Sequence, residues 1–283
     1  MTKNRTGGCA MLSVVMPIYN TAPEMLERSI KSLMVQNFRD MEIILVDDGS
    51  GEETCRKLDE LASQDACIKV IHQKNRGVSV ARNTGIQAAQ GRYLTMMDSD
   101  DVIAPEAYGK VIRRLQKTGA DAAVFGFRRI SSDGAETRYP VLVGNTPALE
   151  SAERINTIIA ASAVKRGGGY PWNKVWDLEK IGKAELFAEG IICYEDKLWC
   201  MQMYQKCRKI LLMPEIWYTY YENYRSLSKG DSISREEAIK KRRSALAAYD
   251  RILEILPKTG IAYYVAAAFR LKTVVMGILK HTI

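Results

Sequence analysis

Short apolar runs alternate with amphipathic stretches through the first 130 residues of the chain. Leu12 to Met16 (LSVVM) predicts a strand ended by Pro17, and Thr21 with Pro23 opens a helix whose Met25, Leu26, Ile30 and Leu33 recur at helical spacing. Glu42 to Val46 predicts the second strand, Cys55, Leu58, Leu61 and Ala62 a second helix, and Ile68 to Ile71 a third strand. Val78 to Ala89 reads as helix, Tyr93 to Met97 as strand, Pro105 to Gln116 as helix and Ala122 to Phe127 as strand. Strands separated by helices of this length require right-handed crossovers, which predicts an α/β doubly wound, mostly parallel sheet with helices on both faces.

The rhythm changes after Arg128. Ser131 to Asn145 is polar and reads as a hairpin or loop, Ala148 to Val164 as helix, and Lys165 to Tyr170, with Gly167, Gly168 and Gly169, as a flexible connection or lid. Glu195 to Gln205 predicts a helix opened by a carboxylate pair, and Ile210 to Met213 and Trp217 to Tyr221 two strands. Asn223 to Ser234 is a polar loop, and Arg235 to Leu256 and Ile261 to Leu279 are two amphipathic helices.

A length of 283 residues accommodates one large α/β domain with an appendage. No uncharged apolar run reaches the roughly 18 residues of a membrane helix, and Met1 to Ala10 lacks the apolar core of a secretory signal, so a cytoplasmic protein is expected. The six cysteines form no CxxC pair and only two histidines accompany them, which argues against zinc and for reduced core cysteines. The net charge of +8 is concentrated late: ten Lys/Arg against four Asp/Glu follow from Arg235 onward. Such a tail suits an anionic membrane surface or a lipid-linked diphosphate, or else is a solvated basic face. No aromatic platform interleaves these charges, so nucleic acid is not an expected partner.

The acids fall where chemistry is expected. Asp47-Asp48-Gly49-Ser50 follows one predicted parallel strand and Asp98-Ser99-Asp100-Asp101 another. Parallel strands end on one rim, where ligands bind at the switch in strand order. Converging carboxylates need protons or a cation between them, and aspartate oxygens suit Mg²⁺ or Mn²⁺. Taken alone, such Asp-rich turns also serve as helix caps or plain turns.

These runs, VVMPIYNTAPEMLERSIKSLMVQNF, EIILVDDGS, NRGVSVARNTGI, GRYLTMMDSDD, PWNKVW and EGIICYEDKLW, together resemble the inverting family 2 glycosyltransferases of GT-A fold, from about Leu12 to Ser234. The resemblance implies a GT-A domain over residues 10–234, with a nucleotide-sugar half (10–128) and an acceptor half (129–234), followed by basic helices over 235–283. It implies that Pro17, Tyr19 and Asn20 pack on the nucleotide base, that Asp47 and Asp48 read the base and ribose, and that Asn75, Gly77 and Arg82 flank the nucleotide, with the Arg82 fork meeting ribose or diphosphate. Asp98 would reach ribose or metal, Ser99 would lie in the same donor-binding turn, and Asp100 would ligate the metal. Asp196 would be the base, kept ionised by its helix N-terminus, with Glu195, Trp172 and Asn173 on the acceptor side and the Trp172 indole stacking on a sugar. The implied reaction is metal-dependent, inverting transfer from a nucleotide-sugar, most simply a UDP-sugar. The implied acceptor is a hydroxyl of a glycan or lipid-linked molecule, in bacterial cell-surface polysaccharide synthesis. Apart from the resemblance, the basic C-terminal helices suggest that a cytoplasmic protein would rest on the inner membrane leaflet and bring in a lipid-linked acceptor.

Other classes leave different marks. A nucleotidyltransferase carries a Gly- and Arg-rich loop where Pro17-Ile18-Tyr19-Asn20 stands, and neither GxGxxG after a strand nor GxxxxGK[ST] is present. A non-catalytic nucleotide-sugar-binding module is the remaining alternative, distinguished by binding without turnover.

Overall fold

The computed structural model describes residues 11–141, 148–150, 169–222 and 234–279. Among the described residues, ten strands form one mixed sheet, with helices on both faces. The first half follows the predicted order: β1 (Leu12–Ile18), α1 (Pro23–Met34), β2 (Met41–Asp48), α2 (Glu52–Gln64), β3 (Ile68–Gln73), α3 (Val78–Ala88) and β4 (Tyr93–Met96). A two-residue β5 (Val102–Ile103), α4 (Ala107–Thr118) and β6 (Ala122–Ile130) come next. β7 (Glu136–Tyr139) returns as a hairpin on β6, and β8 is Ala148–Glu150. Then come β9 (Lys174–Asp177), α5 (Leu178–Ile181), α6 (Glu195–Gln205), β10 (Ile210–Tyr221), α7 (Arg235–Ile255) and α8 (Ile261–Leu279).

The strand order is β3-β2-β1-β4-β9-β6-β10-β5. The block β3-β2-β1-β4 is parallel throughout, and β1 lies between β2 and β4, the switch point that opens a crevice at the strand ends. The other half is not the mostly parallel sheet expected: β9 runs antiparallel to both β4 and β6, β7 to β6, and β5 and β8 to β10, and among the described residues of this half only β10 and β6 pair in parallel. A late strand inserted between two earlier ones cannot be read from a local strand–helix rhythm.

Alternation along the strands builds two cores. Val14, Met16 and Ile18 face Leu26, Ile30, Leu58 and Val111 of α1, α2 and α4, while Val15 faces Ala81, Leu198 and Tyr249 of α3, α6 and α7. The approach of α3 to β1 depends on Gly85: a Cβ there would lie 2.2 Å from Val15 Cγ1. That packing sets the height of α3 over the rim, and with it the position of Arg82.

Several sequence expectations change here. β1 continues through Pro17 to Ile18. Val15 gives its carbonyl to Met97 N, and Pro17, two residues on, faces the same side, beyond the last β1–β4 register pair at Val15 and Met96. Its missing N–H therefore costs no ladder bond. The two late strands are one, β10, whose register shifts between Met213 and Tyr218, around Pro214. Ala148–Glu150 is strand and not helix, and the remainder of that expected helix, residues 165–168 of the expected lid and residues 223–233 of the expected loop lie outside the described residues. α8 is long and apolar enough to cross a membrane by length and composition, although Arg270 and Lys272 interrupt it.

Candidate active site

The two acidic turns lie on the same rim, and the β1–α1 turn ties them together. Asn20, held at φ 50°, accepts from Gly51 N at 2.8 Å through Oδ1, and its own N–H donates to Ser50 Oγ at 2.9 Å. One residue on, Thr21 Oγ1 and Ser99 Oγ share a hydrogen bond of 2.6 Å. Ser99 is thereby buried as a strut between the turns. Tyr19 is open, 56% exposed, with its ring available to a ligand, whereas Pro17 is buried in the strand.

Asp47 and Asp48 are neighbours on β2 and point to opposite faces. Asp48 Oδ1 accepts from Arg76 N (2.9 Å) and Gln73 Nε2 (2.8 Å), and Oδ2 from Gly77 N (2.7 Å), so it anchors the loop that starts α3. The Gly49 turn fits closely under that loop: with φ 75°, a Cβ on it would meet Asn75 N at 2.7 Å. Asp47 turns the other way. It accepts from Ser50 N (2.9 Å) and the Cys55 thiol (3.3 Å) and pairs with His72 Nδ1 (2.8 Å). Its expected role in reading the base gives way to a structural one, because its carboxylate is 2% exposed and satisfied on the α2 side. Asp47, Cys55 and His72 bring their donor atoms within 4.8 Å of one another, and their mutual hydrogen bonds account for that proximity. Asp47 and burial both raise the Cys55 thiol, burial the more, and Asp47 raises His72.

The turn after β4 is braced on every side. Arg28 Nη2 donates to Asp100 O at 2.7 Å and its guanidinium stacks 3.8 Å over the Tyr221 ring. Asp98 N donates to Tyr218 Oη at 3.1 Å, and that hydroxyl donates to Asp101 Oδ2 at 2.8 Å. Tyr221 N completes Asp101 through Oδ1 at 2.9 Å. Burial lifts the Asp101 carboxyl well above the usual carboxylate range, and the Asp100 and Asp98 charges add to it. Asp101 N donates to Asp98 O at 3.3 Å, so one tight turn carries all three acids. Asp98 and Asp100 remain partly exposed, and their oxygens are the hard donors that Mg²⁺ and Mn²⁺ take, so the turn fits a divalent ion. Arg28 and Tyr218 were not among the residues singled out from the sequence, and Asp101 entered only as the third acid of the DSDD run, with no role of its own.

Arg82 does not stand free for ribose or diphosphate. It is 4% exposed, and its terminal nitrogens are engaged by acids: Nη2 with Asp98 Oδ1 at 3.2 Å, Nη1 with Asp196 Oδ1, and Nη1 near Glu195 Oε1 at 3.7 Å. Such a forked guanidinium is the cation suited to join carboxylates from separate elements. Asp196 lies in the first turn of α6, entered through Tyr194 in the left-handed region at φ 64°. The helix terminus does not hold its carboxyl at ordinary acidity. Burial pushes the pKa up to about 7, against the pull of Arg82 and helped by Glu195 and Asp98.

The expected acceptor residues divide. Glu195 is at the site beside Arg82, but Trp172 and Asn173 are core. Trp172 is 3% exposed and stacks with Tyr170 (4.8 Å) and Tyr218 (4.3 Å), with Phe127 at its edge (4.9 Å), which leaves no indole face for a sugar. Asn173 Nδ2 donates to Phe125 O at 2.8 Å and its Oδ1 accepts from buried Lys174 Nζ at 2.6 Å. Burial lowers Lys174 to about 8. Lys197, next to Asp196 in the chain, lies against the Tyr249 and Phe269 rings (5.6 and 5.4 Å) and is likewise lowered to about 8 by burial.

The chain is similar to known glycosyltransferases in sequence and in fold. The glycosyltransferase EpsJ of Bacillus subtilis, itself uncharacterised, is 33% identical over 220 residues, 77% of this chain and 63% of EpsJ. Staphylococcus aureus TarS (residues 1–349) bound to UDP-GlcNAc superposes with a TM-score of 0.70 at 20% identity, over 92% of this chain and 71% of TarS. The mannosyltransferase PcManGT of Pyrobaculum calidifontis, in complex with GDP-Man and Mn²⁺, gives 0.61 at 13% identity, over 96% of this chain and 76% of that one. These two share the fold. The chain spans less than two thirds of the length of curated relatives such as EpsJ. The model of glycosyl transferase family 2 matches residues 13–166, more than half of the sequence, and the chain belongs to that family.

Proposed function

We propose that the protein is a metal-dependent, inverting glycosyltransferase that moves a sugar from a UDP-sugar to a hydroxyl of a glycan or lipid-linked acceptor, in cell-surface polysaccharide synthesis. The observation that carries this reading is the bridge made by Arg82 between Asp98, on the turn suited to the metal, and Asp196 on α6. Donor diphosphate and acceptor hydroxyl would meet across that bridge.

Asp196 takes the acceptor proton as the acceptor oxygen attacks the anomeric carbon, and the bond from that carbon to the diphosphate oxygen breaks with its electron pair leaving on UDP. A single displacement from the opposite face inverts the centre. A pKa about 7 suits a general base at neutral pH, since the basic form is present and still accepts a proton readily. Asp98 and Asp100 would hold a divalent ion, which offsets the charge growing on the leaving diphosphate. Tyr19, open at the rim, would stack on the uracil. TarS, which shares the fold, binds UDP-GlcNAc, and this favours a UDP-sugar as donor.

A screen of UDP- and GDP-sugars with Mn²⁺, read by release of free nucleoside diphosphate, tests this. The reading expects UDP release from at least one donor, lost in Asp196→Asn when acceptor is supplied. Binding of UDP-sugars without release would indicate a non-catalytic module, and pyrophosphate release a nucleotidyltransferase.

A further inference from the structure

α8 has two unlike sides. Ala262, Ala266 and Gly277 are buried, the Phe269 ring stacks 6.5 Å from Tyr249 of α7, and Arg270 pairs with Asp250. At about 100° per residue, Ile261, Tyr264, Ala268, Leu271, Val275 and Ile278 fall together on the opposite side. The larger of them are exposed, from 45% at Val275 to 67% at Ile261. A whole helix face of aliphatic and aromatic side chains is therefore left to solvent, which soluble surfaces rarely do without an occupant.

We propose that this face of α8 docks in the interfacial layer of an anionic bilayer, with the helix lying along the surface. Charge decides between occupants. α8 contains no acidic residue, Lys272 sits at the edge of the stripe, and Lys258 precedes it in the α7–α8 turn. A second copy of the same face would set these cations against their own kind, whereas anionic headgroups complement them. Tyr264 supplies the aromatic group favoured at headgroup depth, and Lys272 can extend its ammonium outward. The packed side explains why the helix rests on the membrane instead of crossing it: Ala262, Ala266 and Phe269 are held by the protein's own core. Phe269 also touches Lys197, the residue after Asp196, so the docked face adjoins the wall of the acceptor site. The surface stands independently of the catalytic reading.

Sedimentation with vesicles of phosphatidylcholine alone, or of phosphatidylcholine with phosphatidylglycerol, tests the proposal on the full chain. The expected result is binding to the anionic vesicles that weakens with salt, with much less binding to neutral ones. The double variant Leu271→Glu with Val275→Glu, both at exposed positions, should lose roughly tenfold or more in affinity while keeping its circular dichroism spectrum and thermal midpoint. No binding to anionic vesicles, or equal binding by a folded variant, overturns it. So does a wild-type dimer in light scattering that the double variant dissolves without any vesicle binding. Vesicle binding is measured without donor sugar, so its failure and that of the catalytic assignment are read separately.

Discussion

Arg82 Nη2 stands 3.2 Å from Asp98 Oδ1, and through this contact a helix packed on β1 grips the turn that follows β4. The same guanidinium holds Asp196 through Nη1, 114 residues away along the chain. Replacing Arg82 with Lys keeps the charge but loses the fork, and one ammonium cannot serve both acids in this geometry. Transfer by Arg82→Lys should fall roughly 100-fold in kcat, the scale of losing alignment between reacting groups. Steady-state kinetics checks this; a kcat within a factor of about two of wild type would mean the bridge is dispensable.

The acidity of Asp196 sets a pH profile. Its basic form prevails above its pKa of about 7, so kcat/KM should rise tenfold per pH unit below that value and level off above it. Arg82 pulls this pKa down, so Arg82→Ala should move the acid limb to higher pH in whatever activity remains. A profile flat from about pH 5 to 8 would remove Asp196 from the role of base.

Trp172 belongs to stability. Trp172→Leu opens a cavity within the Tyr170–Trp172–Tyr218 stack and should cost about 3 kcal/mol, with a lower thermal midpoint. Acceptor KM at a temperature where the variant is folded should change little. A large KM effect with an unchanged melting point would restore the sugar-stacking role.

Asp101 makes stability pH-dependent. A carboxyl whose folded pKa is raised stabilises the fold fully below its ordinary value of 3.8, and that contribution is lost as pH rises through the folded value. Asp101→Asn keeps a neutral, hydrogen-bonding group against Tyr218 and Tyr221 and does not titrate. From about pH 5 to 8 the variant should gain in melting temperature relative to wild type. A gap that does not move with pH would mean that Asp101 is ionised throughout.

Much of the site could be read from the chain because strand and acid are adjacent in it: β2 runs straight into Asp47-Asp48, and β4 into the Asp98 turn. Strand alternation could also have separated Asp47 from Asp48, since neighbouring residues cannot share a face. Other features depend on contacts between distant segments. The placement of β9 between β4 and β6 buries Trp172 and Asn173, and nothing in PWNKVW announces an antiparallel insertion. Arg82 looked like a phosphate ligand because its partners, Glu195 and Asp196, are supplied by a helix from the other half. The acidity of Asp196 follows from burial, which outweighs the helix terminus and has no local signature.

The proposed chemistry depends on a cation held by Asp98 and Asp100 that grips a donor's diphosphate. Calorimetric titration of UDP into wild type and Asp100→Asn, each with Mn²⁺ and with a chelator, tests it directly. Tight binding is expected only for wild type with Mn²⁺, and weak, metal-independent binding for the variant. Equal UDP affinity in all four titrations would contradict it.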